Sequence, residues 1–177
     1  MTRTETWEIS QMLLGELEQE AQTTLRVLQR VPEGKLTWRP HPRSYSLGQL
    51  ALHVATIPRL GELLLNPDVL EPPEFVQPEA KSTAEILTTM EESLTSARKF
   101  LGELTPERAE AKWRLVSGGR ELMSAPRIAM IRTLMLNHWY HHRGQLLVYL
   151  RMHNVPLPSV YGPTADENPF AAALTAQ

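Results

Sequence analysis

The 177-residue chain has no cysteine. Disulfides, thiolate metal sites and a catalytic thiol of the protein's own are therefore excluded, and any metal must be held by histidine and oxygen ligands. No apolar run approaches the roughly 18 residues of a membrane span. The opening "MTRTETWEIS" lacks the apolar stretch of a signal peptide. These two absences predict a cytoplasmic protein with no membrane partner. An excess of charge of one sign is missing too. With 18 Lys and Arg against 20 Asp and Glu the net charge is −2, and no basic run makes an electrostatic footprint for nucleic acid. There is no internal repeat and no low-complexity tract. What is present, with 42% apolar residues, is the composition of an ordinary globular protein, and the length predicts one domain over 1–177.

Helical periodicity dominates the chain. Thr2 and Glu5 fit a capping box, in which a Glu three residues on reaches back to the cap. A helix from about 5 to 31 follows, with Ile9, Leu13, Leu17, Ala21, Leu28 and Val31 near helical spacing, stopped by Pro32 and Gly34. Ser46 and Gln49 open a second helix over 47–65, whose apolar steps pass through Leu50, His53, Ile57, Leu60 and Leu64. Pro58 should kink it or break its hydrogen bonding. Ser82 and Glu85 open a third, to about 104, with Ile86, Met90, Leu94, Ala97 and Leu101 on one face. Thr105 and Pro106 suit the cap and first position of a short extra turn. "KWRLVSGGRELMS" turns at Gly-Gly, as a small hairpin or a loop. Ser124 caps the last long helix, about 125–153, which Asn154 and Pro156 end, and the tail beyond it is proline-rich and then suits a short helix. Four long helical patterns joined by long loops, notably 33–45 and 66–81, predict an all-α bundle. The loops leave room for a crossover, so periodicity does not fix the topology.

The stretch "LNHWYHHRGQLLVYLR" holds His138, His141 and His142, half of the six histidines. A heptad frame on this helix puts Ile128, Ile131, Met135, His138, His142, Gln145, Tyr149 and Met152 on one inward seam. His138 and His142 are four apart, so both imidazoles leave the same face one turn apart. On the second helix His53 lies in the seam between Leu50 and Ile57, with Gln49 one turn below. If the seams face each other, three imidazoles converge. An uncompensated buried polar group costs about 2–7 kcal/mol, and a divalent ion would offset that. Imidazole suits zinc, nickel, copper and iron, and three histidines with one open position are the pattern of a catalytic zinc site.

Each assignment has a plainer counterpart. His53, His138 and His142 can be hydrogen-bonded core histidines. His141, at the flank, is a fourth ligand, a neighbour of the ligands or a polar flank. Gln49 and Gln145 can fix an imidazole tautomer by hydrogen bonding the nitrogen turned away from the metal, or they are ordinary polar residues. His41 and His153 read as solvated. Arg143 points away from the seam, toward a loop or a carboxylate. Gly144 admits a neighbouring backbone or merely weakens the helix. Glu16 and Glu20 read as a solvated face, and the four tryptophans, Trp7, Trp38, Trp113 and Trp139, as packing residues.

"HWYHHRGQLLVYLR" followed by "VPLPSVYGPTADE" resembles the C-terminal half of the DinB-like (DinB/YfiT) superfamily of damage-inducible and thiol-transferase-related proteins, and "YSLGQLALHVATI" resembles its second-helix segment. The resemblance implies a four-helix bundle, often a homodimer, with a divalent metal ion such as Zn, Ni or Fe held by His53, His138 and His142. It also implies enzymes that use low-molecular-weight thiols such as mycothiol or bacillithiol. The expected function is a metal-dependent enzyme that activates or transfers such a thiol onto a small-molecule substrate. The alternatives are a metal-binding stress-response module without turnover and a metal-dependent hydrolase. With no cysteine in the chain, the thiol has to be a diffusible cosubstrate.

Overall fold

The computed structural model describes residues 3–72 and 74–171, with side chains from residue 9 onward. The expected Thr2–Glu5 box and the Trp7 side chain lie outside the described residues, as does most of the short helix expected near the C-terminus. Helix α1 runs Arg3–Leu28 and ends three residues before the expected boundary, its last turn tightened by Arg30 and Val31 N–H groups bonding three residues back. Leu13, Leu17, Ala21 and Leu28 are buried along it.

Ser46 caps helix α2 (Leu47–Thr56) with both halves of the capping box made: its side chain accepts from Gln49 N–H, and the Gln49 side chain accepts from Ser46 N–H. Pro58 has the expected effect. The helix passes through a 3₁₀ turn at Ile57–Arg59 before resuming as α3 (Leu60–Leu65). Helix α4 spans Thr83–Gly102. Its cap Ser82 accepts from Glu85 N–H, but the Glu85 carboxylate takes Lys81 N–H rather than that of Ser82, so only half a box forms. Thr105 caps the short α5 (Pro106–Glu110) as its sequence predicts.

The all-α expectation is corrected by a small sheet. Strands β1 (Val69–Leu70), β2 (Lys112–Ser117) and β3 (Arg120–Pro126) pair in that order, β1 parallel and β3 antiparallel to β2. Gly118 and Gly119 close the hairpin at φ of 55° and 76°, the left-handed pair that a two-residue turn requires. Trp113 is fully buried beneath it and donates to the Leu64 carbonyl at 3.0 Å. Because β3 persists to Pro126, Ser124 does not cap the last helix; its hydroxyl bonds Glu121 instead.

The last helical segment begins as α6 (Arg127–Met130), widens into a π-helical stretch over Ile131–Asn137, and continues as α7 (His138–Met152). This overturns the heptad frame. A π turn adds a residue and rotates all that follows. Beyond Met135 the buried line is Leu136, Trp139, Arg143, Leu146 and Leu150, while Gln145 and Met152 are exposed. His138 and His142 therefore stand half-buried at the edge of the core and not in its seam. Helix α4 packs against α1, α2 and α3, and α7 against α2 and α1, and their buried apolar side chains form one connected cluster.

Candidate metal centre

The structure brings together the three histidines that spacing singled out. His53 of α2 meets His138 and His142 of α7, with ring centroids 5.1 and 4.6 Å away, and the two α7 rings are 4.6 Å apart. One nitrogen from each falls within 4.8 Å of the others, a spacing that can hold a metal ion.

The protonation of the rings follows from their outer partners. His53 Nδ1 lies 3.0 Å from Gln77 Oε1, His138 Nδ1 3.2 Å from the Leu134 carbonyl, and His142 Nδ1 2.7 Å from Gln145 Oε1. All three partners accept, so each Nδ1 carries the proton and each Nε2 keeps its lone pair. His53 Nε2 and His138 Nε2 stand 3.3 Å apart. Two lone pairs at that separation repel unless a cation lies between them. A shared proton would create a charge that the site disfavours. Burial, with the neighbouring His142 and His138 adding to it, pushes His53 down to about 4, and burial holds His138 and His142 below the usual imidazole value. Neutral imidazoles in this pattern are what a divalent ion needs.

Each acceptor comes from a different local device. In the π-helical stretch His138 N–H bonds to the Met135 carbonyl, and the Leu134 carbonyl, four residues back, takes the His138 ring instead. Gln145 is on the same helix face as His142, as its spacing predicts. Gln77 is the residue that sequence reasoning missed. It is buried, in the proline-rich loop between α3 and α4, and no periodicity marks it. Gln49 does not hydrogen-bond His53 directly. Its Nε2–H donates to the Gln77 carbonyl at 3.0 Å, so it anchors the loop whose side chain orients His53. Nearby, Ser46 donates to Glu79 of the same loop. His141 is exposed, with its ring 4.9 Å from that of His142, and lies outside the converging group.

Other expectations divide. His41 is exposed, accepting from Arg43 N–H. His153 is not solvated: the Trp38 ring packs edge-on against it at 4.3 Å, because the 33–45 loop covers the end of α7. Arg143 does find a carboxylate. It is buried and pairs with Glu20 at 2.6 Å while donating to Thr24 and Tyr161. Glu20 is thus no solvated residue, and Glu16 binds Arg132 and the Tyr140 hydroxyl. Glu20 is held inward by Arg143 of α7 and Tyr161 of the tail, whereas Glu16 stays part-exposed against Arg132 and Tyr140. Among the described residues nothing lies within 4 Å of the position a Gly144 Cβ would take, so none of their backbone packs there. Trp113 and Trp139 are core residues, and Trp38 is half-buried.

Among curated proteins none matches this sequence. Solved structures do. A DinB-like protein from Bacillus subtilis superposes with a TM-score of 0.63 at 17% identity, over 84% of this chain and 96% of that one. A DinB-like protein from Bacillus cereus gives the same TM-score at 25% identity, over 84% and 95%. The model of the DinB family matches residues 1–169. A match of that extent reaches from α1 past α7 and takes in every residue of the histidine cluster, and on it the chain belongs to the DinB family.

Proposed function

We propose that the protein is a divalent-metal-dependent enzyme that activates or transfers a low-molecular-weight thiol, with His53, His138 and His142 as the metal ligands. The observation that supports this most is the convergence of one nitrogen from each of the three imidazoles, whose Nδ1 atoms already have acceptors elsewhere. A bound zinc, nickel or iron ion supplies a Lewis acid that brings the pKa of a thiol or water toward neutrality. The chain's own residues do the rest. Gln77, the Leu134 carbonyl and Gln145 hold the three rings in one tautomer. Burial keeps them unprotonated. The chain has no thiol of its own, so the nucleophile arrives as a cosubstrate. The reading carries with it a single DinB-like domain over 1–177, a four-helix bundle of α1, α2–α3, α4 and α6–α7, and a cytoplasmic homodimer.

The test is metal content after purification without a histidine tag. The wild-type protein should retain a divalent ion and His138→Ala should lose it; equal content in the two removes His138 from the ligand set. The loaded protein is then offered thiols with an electrophilic acceptor. Thiol consumption that depends on the metal is the expected result. Silence across thiols leaves a metal-binding module without turnover.

A further inference from the structure

A cavity of about 300 Å³ opens beside the histidine cluster, and His53 and His138 form part of its wall. The remainder is carbon: Ile57, Leu60 and Leu64 from the kinked α2–α3 region, Leu70 of β1, and Pro72 and Phe75 of the loop that follows. Among the described residues Thr56 is the one hydroxyl of the lining, and it is engaged, donating to the Leu52 carbonyl at 2.8 Å. No charged side chain lines the cavity among the described residues. A carboxylate or ammonium group placed against these carbon walls, away from the imidazoles, would lose its hydration with nothing to replace it. An engineered apolar cavity of about 150 Å³ takes benzene, so this space, about twice as large, suits one fused pair of rings or a branched alkyl group.

We propose that this cavity seats the uncharged hydrophobic group of the molecule on which the histidine site acts, an aryl or branched alkyl electrophile, and excludes the polar thiol carrier. The inference rests on the metal-enzyme reading above. The thiol carrier then approaches from the His142 side, since His142 borders the cluster but not the cavity. The 3₁₀ turn at Ile57–Arg59 falls between His53 on α2 and Leu60 and Leu64 on α3, all of which line the cavity.

The test uses 2-naphthol, neutral at pH 7, and 2-naphthoate, its charged counterpart, on the full chain. Titration should show one saturable site for 2-naphthol and, in metal-stripped protein where no ion can take the carboxylate, binding at least tenfold weaker for 2-naphthoate. Leu60→Trp, which fills the cavity, should weaken 2-naphthol binding at least tenfold while metal content stays as in wild type. His142→Ala should lose metal yet keep 2-naphthol binding within a few-fold. In the cobalt-loaded protein the bound 2-naphthol protons should relax faster than in the zinc-loaded one, and that difference should vanish in His142→Ala. Absent or Leu60→Trp-insensitive 2-naphthol binding, or equal binding of 2-naphthoate to metal-stripped protein, overturns the proposal. So does binding without a cobalt effect in protein that holds cobalt. Wild-type protein that binds 2-naphthol and no metal instead overturns the metal reading, and with it the role of the cavity, while leaving the cavity's apolar selectivity measured.

Discussion

At the scale of single residues, the cluster is a set of imidazoles held neutral. His53 sits at about 4 in the folded chain and near 6.5 when unfolded. Between those values the unfolded chain binds more protons, so stability rises with pH through that window. Metal-free protein should therefore be fully stabilised by this group above about pH 6.5 and lose that contribution as pH falls toward 4; urea unfolding at pH 7 and pH 5 measures it. An unchanged urea midpoint would mean His53 titrates normally in the fold. The outer acceptors have a separate signature. Gln77→Ala or Gln145→Ala frees an Nδ1–H and should weaken metal affinity by about 10–100-fold with the helical content unaltered. Circular dichroism with competitive zinc titration reads both. Gln145 was legible because it lies three residues from His142 on a helix. Gln77 was not, because a loop residue 24 positions from its partner leaves no periodic trace.

At the scale of elements, the capping boxes and prolines were readable because their causes are local. Ser46 with Gln49 starts α2, Pro58 interrupts it, and Thr105 with Pro106 starts α5. The heptad frame on the last helix misled because a π turn depends on packing around it and leaves no rule in the sequence. His138 and His142 still face the same way, since residues four apart share a face whatever that face meets. The hairpin was legible only as one of two options, and β1, two residues long, carried no alternation to detect. Close helix packing also went unseen. A Cβ on Gly61 would lie 2.5 Å from Phe100 Cδ1, where α3 crosses α4. Gly61→Ala should destabilise by about 1–3 kcal/mol through overpacking against a buried ring, and a thermal melt against wild type checks it. An unchanged melting temperature would show that α3 can move away.

At the scale of the whole molecule, α7 is clamped on two sides. One side presents His138 and His142 to α2. The other sends Arg143 into a buried pair with Glu20 of α1, joined by Tyr161 from the chain beyond α7. The same tail is tied to α1 by Arg26–Glu167 and to the turn after α1 by Arg30 donating to the Pro156 carbonyl at 2.8 Å. Removing one member strands a buried charge, so Glu20→Gln should cost about 3–5 kcal/mol. Urea unfolding gives the number, and a double change of Glu20→Leu with Arg143→Met should recover much of it, because two apolar groups leave nothing unpaired. Failure of the double variant to recover would place the cost in the Tyr161 and Thr24 contacts instead.

The three ring acceptors differ in what supports them. Gln145 shares a helix with the ligand it holds, and the Leu134 carbonyl belongs to the helical turn before His138. Gln77 belongs to a loop that reaches α2 through the Gln49 side chain and Glu79. Lifting that loop disarms His53 while the α7 pair stays aimed. For an ion held as proposed above, displacing Gln77 would loosen His53 ahead of the α7 pair, so release is expected to follow loss of the Gln49–Gln77 anchor and not the unfolding of the protein. A chelator would strip the site at a rate that Gln49→Ala accelerates and that denaturant, at concentrations leaving the helices intact, barely touches.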